Sequence, residues 1–369
     1  MPTTLARQSL TLSDPNPRVG CILQDASGKT LGQGFTQAAG QSHAEVMALR
    51  DAQARGHDVR GATAYVTLEP CSHFGRTPPC CNALIEAGIG RVVVAQRDPN
   101  PLVAGQGLER LRQADIAVEL LPPDHPAAIE TRELNIGFFS RMVRKMPWVR
   151  MKVAATLDGK TALPDGQSQW ITSPEARADG HAWRARASAV LTGIGTILSD
   201  APRLDVRLAP THRQPHVVIV DSALQTPLDA PILMPGRTTY LYAAVNDAAR
   251  IQALQARGVQ VILMPGIRAD GSATGKVDLA AMLRDLAKRE INELHVEAGH
   301  KLNGSLVREG LVDEFLVYLA PKLLGTGADM ASFGPLKHLS DALPLHFHSV
   351  DRVGPDLRIV ARVTGRDTF

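Results

Sequence analysis

The sequence predicts an α/β protein of two domains. Short runs of β-branched residues alternate with longer amphipathic stretches, which is the pattern of strands and helices packed in layers. The chain has 369 residues, and domains commonly contain about 100–200 residues. A basic stretch, SRMVRKMP, interrupts the pattern, and Pro147 at its end disfavours a helix at the preceding residue. We therefore expect one domain over residues 1–144 and a second over residues 145–369, with an ordinary loop inside one large domain as the alternative.

The first part of the chain begins with a predicted β-hairpin, in which VGCIL and TLGQGF flank a DASGK turn. A helix is expected from about Ala44 to Ala54, followed by a buried strand in ATAYVTL from Ala62. A further helix starts at Cys80 and ends near Gly88, a residue typical of a helix C-terminus. RVVVA and IAVEL then predict two more strands with a helix between them.

The second part of the chain predicts a strand-rich α/β arrangement as well. Strands are expected at SAVLT, HVVIV, TYLY, VQVIL, ELHVE and EFLVYL, with helical patterns between several of them. Ser173 and Pro174 have the residue types of an N-cap and a first helical position.

Charge and composition favour an enzyme that acts on a small molecule. The chain has 40 basic and 37 acidic side chains, interspersed, and only 4% aromatic residues. This is neither the basic stripe of a nucleic-acid binder nor a stacking platform for single strands. The N-terminal segment lacks the apolar region of a signal peptide, and no stretch approaches the ~18 apolar residues of a membrane helix. We expect a cytoplasmic protein that binds neither nucleic acid nor membranes.

Three of the four cysteines lie close together in the sequence, which indicates a metal site rather than a disulfide framework. His43 in SHAE, Cys71 in EPCSH and Cys80 in TPPCC each lie where a loop or strand meets a predicted helix start, and helix N-termini favour thiolates. Catalytic zinc commonly has three protein ligands and an open position for water. Cys21 is expected in the core, and Cys81 is an alternative ligand to Cys80.

Glu45 is predicted to carry protons at this metal. Residues 43 and 45 point about 200° apart on a regular helix, so they converge only if the metal lies at the helix tip. In zinc deaminases the glutamate of H-x-E acts as acid and base and does not bind the metal. The P-C-x-x-C partner motif of those enzymes is lengthened here, because SHFGRTPP separates the cysteines. The alternative is a capping box formed by Ser42 and Glu45, without catalysis.

Two glycine-containing segments of the second part are candidates for binding a phosphate group. GIGTIL follows an apolar strand but lacks the third glycine of a dinucleotide fingerprint, so a tight strand-to-helix turn is the safer interpretation. EAGHKLNGS contains two glycines near a predicted helix start, where backbone N–H groups can hold a phosphate.

Several motifs in a fixed order resemble the bacterial bifunctional deaminase/reductase family of riboflavin biosynthesis. They are DPNPRVGCIL, SHAEVMAL, EPCSHFGRTPPC and DPNPLVAGQGL in the first part, and KVAATLDGKTA, SQWITSPEAR, LTGIGTILSDAPRLDVR and HVEAGHKLNGSLV in the second. The resemblance implies a cytidine-deaminase-like three-layer domain followed by a dihydrofolate-reductase-like domain. It also implies zinc (Zn2+) and NADPH as cofactors. A phosphorylated diaminopyrimidinone would first lose ammonia, and its ribosyl group would then be reduced to ribityl.

For the first domain, the resemblance implies His43, Cys71 and Cys80 as zinc ligands and Glu45 as proton donor. The matching substrate contacts are Asn16, His73, Arg76, Asp98 and Asn100. For Arg76, the alternative is a charged side chain in a loop that faces solvent.

For the second domain, the positions that match NADPH contacts are Ala154, Trp170, Thr196, Asp200, Ser222, Gly299, His300, Lys301, Leu302, Asn303, Gly304 and Ser305. Those that match substrate contacts are Ser168, Arg184, Leu204, Arg207 and Glu297, and Lys152 is expected to face the site of hydride transfer. Arg184 and Arg207 suit a phosphate clamp, with surface ion pairs as the alternative. His300 and Asp205 depart from the residue types usual in the family.

Three alternative functions remain open from the sequence. The deaminase could act on a base in tRNA or single-stranded DNA, although the net charge and the few aromatic residues argue against this. The metal could be structural with four ligands, and the C-terminal half a binding module. One domain could also be an inactive relic, which no motif supports. By resemblance alone, a homodimer or homotetramer is compatible with the chain.

Overall fold

The computed structural model describes residues 2–73, 78–101 and 103–369 of the chain. It divides into two compact units, Met1–Lys145 and Met146–Phe369. Both units have α/β architecture, as the sequence predicted. No helix in the described ranges is long and apolar enough to cross a membrane.

The first unit is a five-stranded sheet with helices. Its elements are α1 (Pro2–Ala6), β1 (Gly20–Gln24), β2 (Thr30–Phe35), α2 (Ala44–Ala54), β3 (Thr63–Leu68), α3 (Cys80–Glu86), β4 (Arg91–Gln96), α4 (Gln106–Gln113), β5 (Ala117–Leu120), α5 (Pro126–Leu134) and α6 (Ile136–Arg144). The strand order is β2-β1-β3-β4-β5, with β1 antiparallel to β2 and β3 and the other pairs parallel. The predicted hairpin, strands and helices of this part are confirmed.

Helix α2 lies directly on strand β2. A Cβ atom added to Gly32 or Gly34 would overlap the backbone of α2 at Ala44 and Ala48. The buried face of α2 is correspondingly lined by alanines, which let a helix approach a strand closely. Cys21 lies opposite Gly34 and Val66 in the sheet and is fully buried, so its predicted place in the core is confirmed.

The second unit is built on a nine-stranded mixed sheet. Its elements are β6 (Trp148–Thr156), β7 (Lys160–Ala162), α7 (Pro174–Arg186), β8 (Ala189–Gly193), α8 (Ile194–Asp200), β9 (His216–Val220), β10 (Thr239–Ala243), α9 (Ala248–Gln255), β11 (Val259–Leu263), β12 (Pro265–Ile267), β13 (Ala273–Val277), α10 (Leu279–Lys288), β14 (Glu293–Val296), α11 (His300–Arg308), β15 (Glu314–Ala320), β16 (Ala328–Asp329), β17 (Leu345–Val353) and β18 (Asp356–Val363). The large sheet has the order β11-β10-β9-β8-β14-β6-β15-β18-β17.

Seven neighbouring strands of this sheet, from β11 to β15 in that order, run parallel, and β18 and β17 complete it as an antiparallel hairpin. The carboxyl ends of parallel strands meet at one edge of a sheet, where ligands bind in open α/β folds. Strands β8, β14 and β6 are adjacent, so the segments that follow β8 and β14 are brought together at that edge. The six predicted strands and the Ser173 N-cap, which accepts a hydrogen bond from Ala176 N–H at 3.2 Å, are confirmed.

Candidate zinc centre and reductase site

The predicted metal ligands of the first unit converge on one point. His43 is the N-cap of α2, Cys80 is the first residue of α3, and Cys71 lies in the loop after β3. The Nδ1 atom of His43 lies 3.3 Å from Cys80 Sγ and 3.6 Å from Cys71 Sγ. All three candidate ligand atoms lie within 4.8 Å of one another. The two helix starts thus bring a histidine and a cysteine to the loop that carries the other cysteine.

The spacing and chemistry of these atoms fit zinc. Tetrahedral coordination, with bonds of about 2.3 Å to sulfur and 2.0 Å to nitrogen, sets nitrogen–sulfur separations of about 3.5 Å. Hydrogen bonding from Cys80, and then from His43, lowers the pKa of Cys71 to about 4, so this thiol is readily ionised. The backbone N–H of Cys80 also donates to Cys71 Sγ at 3.3 Å.

Glu45 lies in the first turn of α2 and is buried beside the cluster. Burial raises the pKa of its carboxyl group, and the negative charge of Cys71 raises it further. The capping-box alternative is wrong, because the N-cap of α2 is His43 rather than Ser42, and no side chain caps this helix. The buried carboxyl is therefore available for chemistry at the cluster rather than for helix capping.

No fourth His, Cys, Asp or Glu side chain joins the cluster in the ranges that the structure describes. Cys81 is directed elsewhere, since its thiol donates to the carbonyl groups of Pro70 at 3.3 Å and Gly107 at 3.5 Å. Burial raises the pKa of Cys81 to about 12, so it remains a neutral thiol. A structural zinc site closed by four protein ligands is not what these residues form.

The predicted substrate contacts of the first unit lie in several loops. Asp98 and Asn100 follow β4, and Asp98 Oδ1 accepts the N–H of Asn100 at 2.8 Å. Burial raises the pKa of Asp98 to about 7, with further contributions from the negative charges of Glu69 and Cys71. Asn16 lies half-buried in the loop before β1. His73 is exposed and lies two residues after Cys71, in the loop after β3 that we call the zinc-ligand loop. Arg76 lies outside the described residues.

In the second unit, positively charged side chains from two elements, α7 and β6, meet at Glu297, which directly follows β14. Arg184 of α7 forms a two-pronged ion pair with it, Nε to Oε1 at 2.7 Å and Nη2 to Oε2 at 3.0 Å. Lys152 of β6 brings its Nζ to 3.7 Å from Oε2. Burial alone would raise the pKa of Glu297, but the positive charges of Arg184 and Lys152 hold it well below its usual range. Glu297 is therefore an anion.

The two arginines proposed as a phosphate clamp have different surroundings. Arg184 is buried, and its Nη1 donates to the carbonyl of Asp205 at 2.6 Å, so it holds Glu297 in place. Arg207 is 52% exposed and pairs with Asp205 Oδ1 at 2.7 Å. Arg203, which the sequence analysis did not single out, is 56% exposed and pairs with Asp205 Oδ2 at 2.9 Å. Asp205 thus forms ion pairs with two guanidinium groups that face solvent.

The neighbouring backbone of this segment is constrained. Leu204 is buried with a φ of 49°, in the left-handed region that non-glycine residues seldom adopt. Arg237 Nη1 donates to its carbonyl at 2.8 Å. His181 of α7 accepts the N–H of Arg207 through Nδ1 at 3.2 Å, and burial, reinforced by Arg184 and Arg207, lowers its pKa to about 4. Neither Arg237 nor His181 has a motif in the sequence that signals its role.

The predicted NADPH contacts after β8 and β14 face each other. A Cβ atom on Gly299 would lie 3.8 Å from Thr196 Oγ1, and one on Gly193 would lie 3.0 Å from Leu302. Gly299 is the N-cap of α11, and no side chain caps this helix. The first turn, with His300 and Lys301, fits a phosphate group, because its N–H groups lack acceptors within the helix.

Other predicted cofactor residues lie away from this helix start. The side chain of Asn303 donates to Met330 O at 3.0 Å, and a Cβ atom on Gly304 would overlap the backbone of Ser332, so both face protein. Ser305 Oγ donates to the carbonyl of Lys301 at 3.2 Å.

The remaining predicted positions belong to different strands, helices and loops. Ala154 lies within β6, Asp200 ends α8, and Ser222 follows β9, where its Oγ accepts Val277 N–H at 3.2 Å. Ser168 and Trp170 lie between β7 and α7, and Trp170 is 62% exposed with the Arg177 guanidinium 4.4 Å above its ring.

Family models match both halves of the chain. The model described as the RibD C-terminal domain matches residues 147–359. The model described as the cytidine and deoxycytidylate deaminase zinc-binding region matches residues 2–96.

Relatives of similar length align along nearly the whole chain. The riboflavin biosynthesis protein RibD of Escherichia coli strain K12 is 43% identical over 368 residues, which cover 96% of this chain and 95% of that protein. The protein of the same name from Aquifex aeolicus is 40% identical over 356 residues, with 96% and 95% covered.

Solved structures support the same family. Acinetobacter baumannii RibD, form 1, superimposes with a TM-score of 0.86 at 38% identity, covering 98% of this chain and 96% of that chain. A diaminohydroxyphosphoribosylaminopyrimidine deaminase/5-amino-6-(5-phosphoribosylamino)uracil reductase of Thermotoga maritima superimposes with a TM-score of 0.84 at 32% identity, with 98% and 96% covered. The chain therefore belongs to the RibD family of bifunctional riboflavin biosynthesis enzymes, and it combines a zinc-dependent deaminase with an NADPH-dependent reductase.

Proposed function

We propose that the first unit, close to the predicted range 1–144, hydrolyses the exocyclic amine of a diaminopyrimidinone that carries a phosphoribosylamino group, with release of ammonia. His43, Cys71 and Cys80 bind the zinc, and Glu45 carries the proton. The main support is geometric: three ligand atoms lie within 4.8 Å of one another, and a buried glutamate lies beside them. The proposed substrate is the one that appears in the name of the similar enzyme from Thermotoga maritima.

Zinc held by these three side chains supplies a Lewis acid that activates water for attack on the amine-bearing carbon. Glu45 takes one proton from the attacking water and delivers it to the ring nitrogen. It then takes the second proton, from the hydroxyl group on the attacked carbon, and delivers it to the departing amine, which leaves as ammonia. Burial raises the pKa of Glu45, which is the direction that favours a carboxyl group that both accepts and delivers protons. Asp98 and Asn100, with Asn16, His73 and Arg76, are proposed to contact the substrate.

The second unit, close to the predicted range 145–369, is proposed to reduce the ribosyl group to ribityl. NADPH supplies the hydride when it is bound. Reduction would open the ribose ring at the bond from C1′ to the ring oxygen, and that oxygen would take up a proton. We assign this proton to Lys152, whose ammonium group is held 3.7 Å from the Glu297 carboxylate. The NADPH phosphates are proposed to bind at the start of α11 near Thr196.

The exposed Arg207, with Leu204 and Ser168, is proposed to hold the phosphorylated ribose, since a guanidinium donates two hydrogen bonds to a phosphate. Arg184 acts indirectly, by orienting Glu297. We further propose a cytoplasmic enzyme whose partner is this small phosphorylated pyrimidine rather than nucleic acid, and a homo-oligomeric assembly on family grounds.

The proposed function is tested with zinc-loaded protein, the diaminopyrimidinone ribosyl phosphate and NADPH in one sample. Ammonia is assayed while NADPH absorbance is followed. We expect ammonia to appear before NADPH is consumed, because the reductase acts on the deaminated product. Consumption of NADPH without ammonia would contradict this order. Zinc-loaded protein that gives neither signal would refute the assignment.

A further inference from the structure

The carboxylate of Glu69 is buried between the zinc-ligand loop and another segment of the first unit. Glu69 directly follows β3 and lies two residues before Cys71. Four backbone N–H groups donate to it, and all of them belong to residues 98–108. Its Oε2 accepts from Asp98 at 3.3 Å and Gly105 at 3.0 Å, and its Oε1 accepts from Gly107 at 2.9 Å and Leu108 at 3.2 Å.

The two oxygens of Glu69 hold different parts of this segment. Oε2 binds the first and last residues of the loop 98–105, so it fixes the two ends of that loop next to each other. Oε1 binds the first turn of α4, whose N–H groups lack acceptors within the helix. The N-cap of α4, Gly105, offers no side chain for this purpose, so Glu69, which is far away in the sequence, caps the helix.

The backbones of the two segments also touch. A Cβ atom on Gly107 would overlap the carbonyl oxygen of Pro70, the residue between Glu69 and Cys71. The Cys81 thiol, next to Cys80, donates to the carbonyl groups of both Pro70 and Gly107. The start of α4 therefore packs tightly against the zinc-ligand loop, and the hydrogen bonds of Glu69 set how the two are aligned.

The loop that Glu69 fixes carries Asp98 and Asn100, the proposed substrate contacts. Asp98 is buried, and its N–H is bonded to Glu69, which lies two residues before the zinc ligand Cys71. A displacement of the loop ends would move both side chains relative to Cys71. A binding site tolerates little such movement, because contacts must be held within roughly 0.5 Å of the productive geometry.

We propose that Glu69 is a positioning residue that aligns the substrate-recognition loop 98–105 with the zinc ligands. The inference rests on the proposed function, since it takes Asp98 and Asn100 as substrate contacts. The carboxylate is required because it offers two acceptor oxygens to four N–H groups. A glutamine at this position has a single acceptor oxygen, and its NH2 group would face two N–H donors.

The test compares Glu69→Gln with wild type and with Glu109→Gln, a control in which an exposed glutamate of α4 is changed in the same way. We expect Glu69→Gln to raise the KM for ammonia release roughly ten-fold or more with a much smaller change in kcat, because the loop that contacts the substrate is no longer aligned with the zinc ligands. Zinc content, and NADPH oxidation with the deaminated substrate, should match wild type. Unchanged deamination kinetics in Glu69→Gln would overturn the proposal, and loss of zinc from this variant would reassign Glu69 to supporting the fold.

Hydrogen–deuterium exchange gives a second measurement that does not depend on activity. In Glu69→Gln, the amides of residues 98, 105, 107 and 108 should exchange roughly ten-fold faster, while those of β1 and β3 keep their protection. Unchanged exchange at these four amides would overturn the proposal even if activity falls. Wild-type protein that releases no ammonia would instead refute the proposed function, and the exchange data would still show whether Glu69 holds the loop.

Discussion

The zinc cluster and the cluster around Glu297 differ in how far apart their residues lie in the sequence. His43 and Cys80 are separated by 37 positions, and each stands at the start of a helix in a short motif. Arg184 and Glu297 are separated by 113 positions and meet only because β14, β6 and α7 are neighbours in the folded unit. Ligands that lie at the starts of helices stand in short motifs and can be recognised in the sequence. Residues that are brought together by the order of strands in a sheet show their roles only in the structure.

The largest effect is expected from removal of one zinc ligand. Cys80→Ala should lose zinc and reduce ammonia release to background, because three ligands are the usual minimum for catalytic zinc. NADPH oxidation with the deaminated substrate should continue, since the reductase residues lie in the other unit. Metal analysis and the two activity assays measure these effects. Cys81→Ala is the matched control and should keep its zinc; Cys80→Ala that still binds one zinc per chain would rule out Cys80 as a ligand.

The next largest effect concerns proton transfer. Glu45→Gln keeps the shape of the side chain but cannot carry a proton, so ammonia release should fall by about 10²–10⁴-fold. Zinc content should stay at the wild-type level, which distinguishes this variant from Cys80→Ala. Glu86→Gln, an exposed change at the end of α3, serves as control. Normal turnover by Glu45→Gln would remove this residue from the mechanism.

A third prediction separates the buried arginine of the reductase site from the exposed one. Arg184→Ala leaves the Glu297 carboxylate without its main partner, and loss of one member of a buried ion pair costs about 3–5 kcal/mol in the free energy of unfolding. Arg207→Ala should change that free energy by less than about 0.5 kcal/mol, as exposed substitutions generally do. It should instead raise the KM for the phosphorylated substrate of the reductase.

Unfolding of this unit can be followed by tryptophan fluorescence, because all three tryptophans, Trp148, Trp170 and Trp183, lie in it. Denaturant titrations of the two variants then give the difference in unfolding free energy directly. Equal destabilisation by Arg184→Ala and Arg207→Ala would contradict the distinction between a positioning arginine and a substrate-binding one.

The smallest effect is a pH dependence of stability in the second unit. The pKa of His181 falls from 6.5 to about 4 on folding, so between these values the unfolded chain binds more protons than the folded one. The stabilisation is complete above about pH 6.5 and is lost as the pH falls towards 4. Tm measured by tryptophan fluorescence should therefore decrease over this window. His181→Gln keeps an acceptor for Arg207 N–H but cannot titrate, so its Tm should decrease less; identical slopes would exclude His181 as the cause.

The sequence predicted the elements and the zinc cluster well because the information is local. Short runs of β-branched residues specify the strands, and His43, Cys71 and Cys80 stand in recognisable motifs at element boundaries. The capping box was wrong because it placed the start of α2 one residue early: His43, rather than Ser42, is the N-cap.

Other features depend on contacts that no single segment contains. Both Arg184 and Arg207 stood out as candidates, but only packing shows that the first is buried against Glu297 and the second faces solvent. Glu69 lies in the EPC motif, yet its function depends on four N–H groups about 30–40 positions away. The C-terminal strand pair β17 and β18 was likewise not predicted from the alternation of its residues.

The contact between α2 and the glycines of β2 bears on how the specificity of the deaminase could be changed. Because α2 packs directly on the backbone of Gly32 and Gly34, no side chain of β2 sets the distance between this helix and the sheet. A shift of His43 or Glu45 therefore requires the backbone of α2 to move relative to β2. A redesign for a larger or smaller heterocycle therefore gains no room on this side of the zinc. The loop 98–105 is the better place for such a change, because its ends are held by hydrogen bonds to Glu69 rather than by contact with the backbone of a strand.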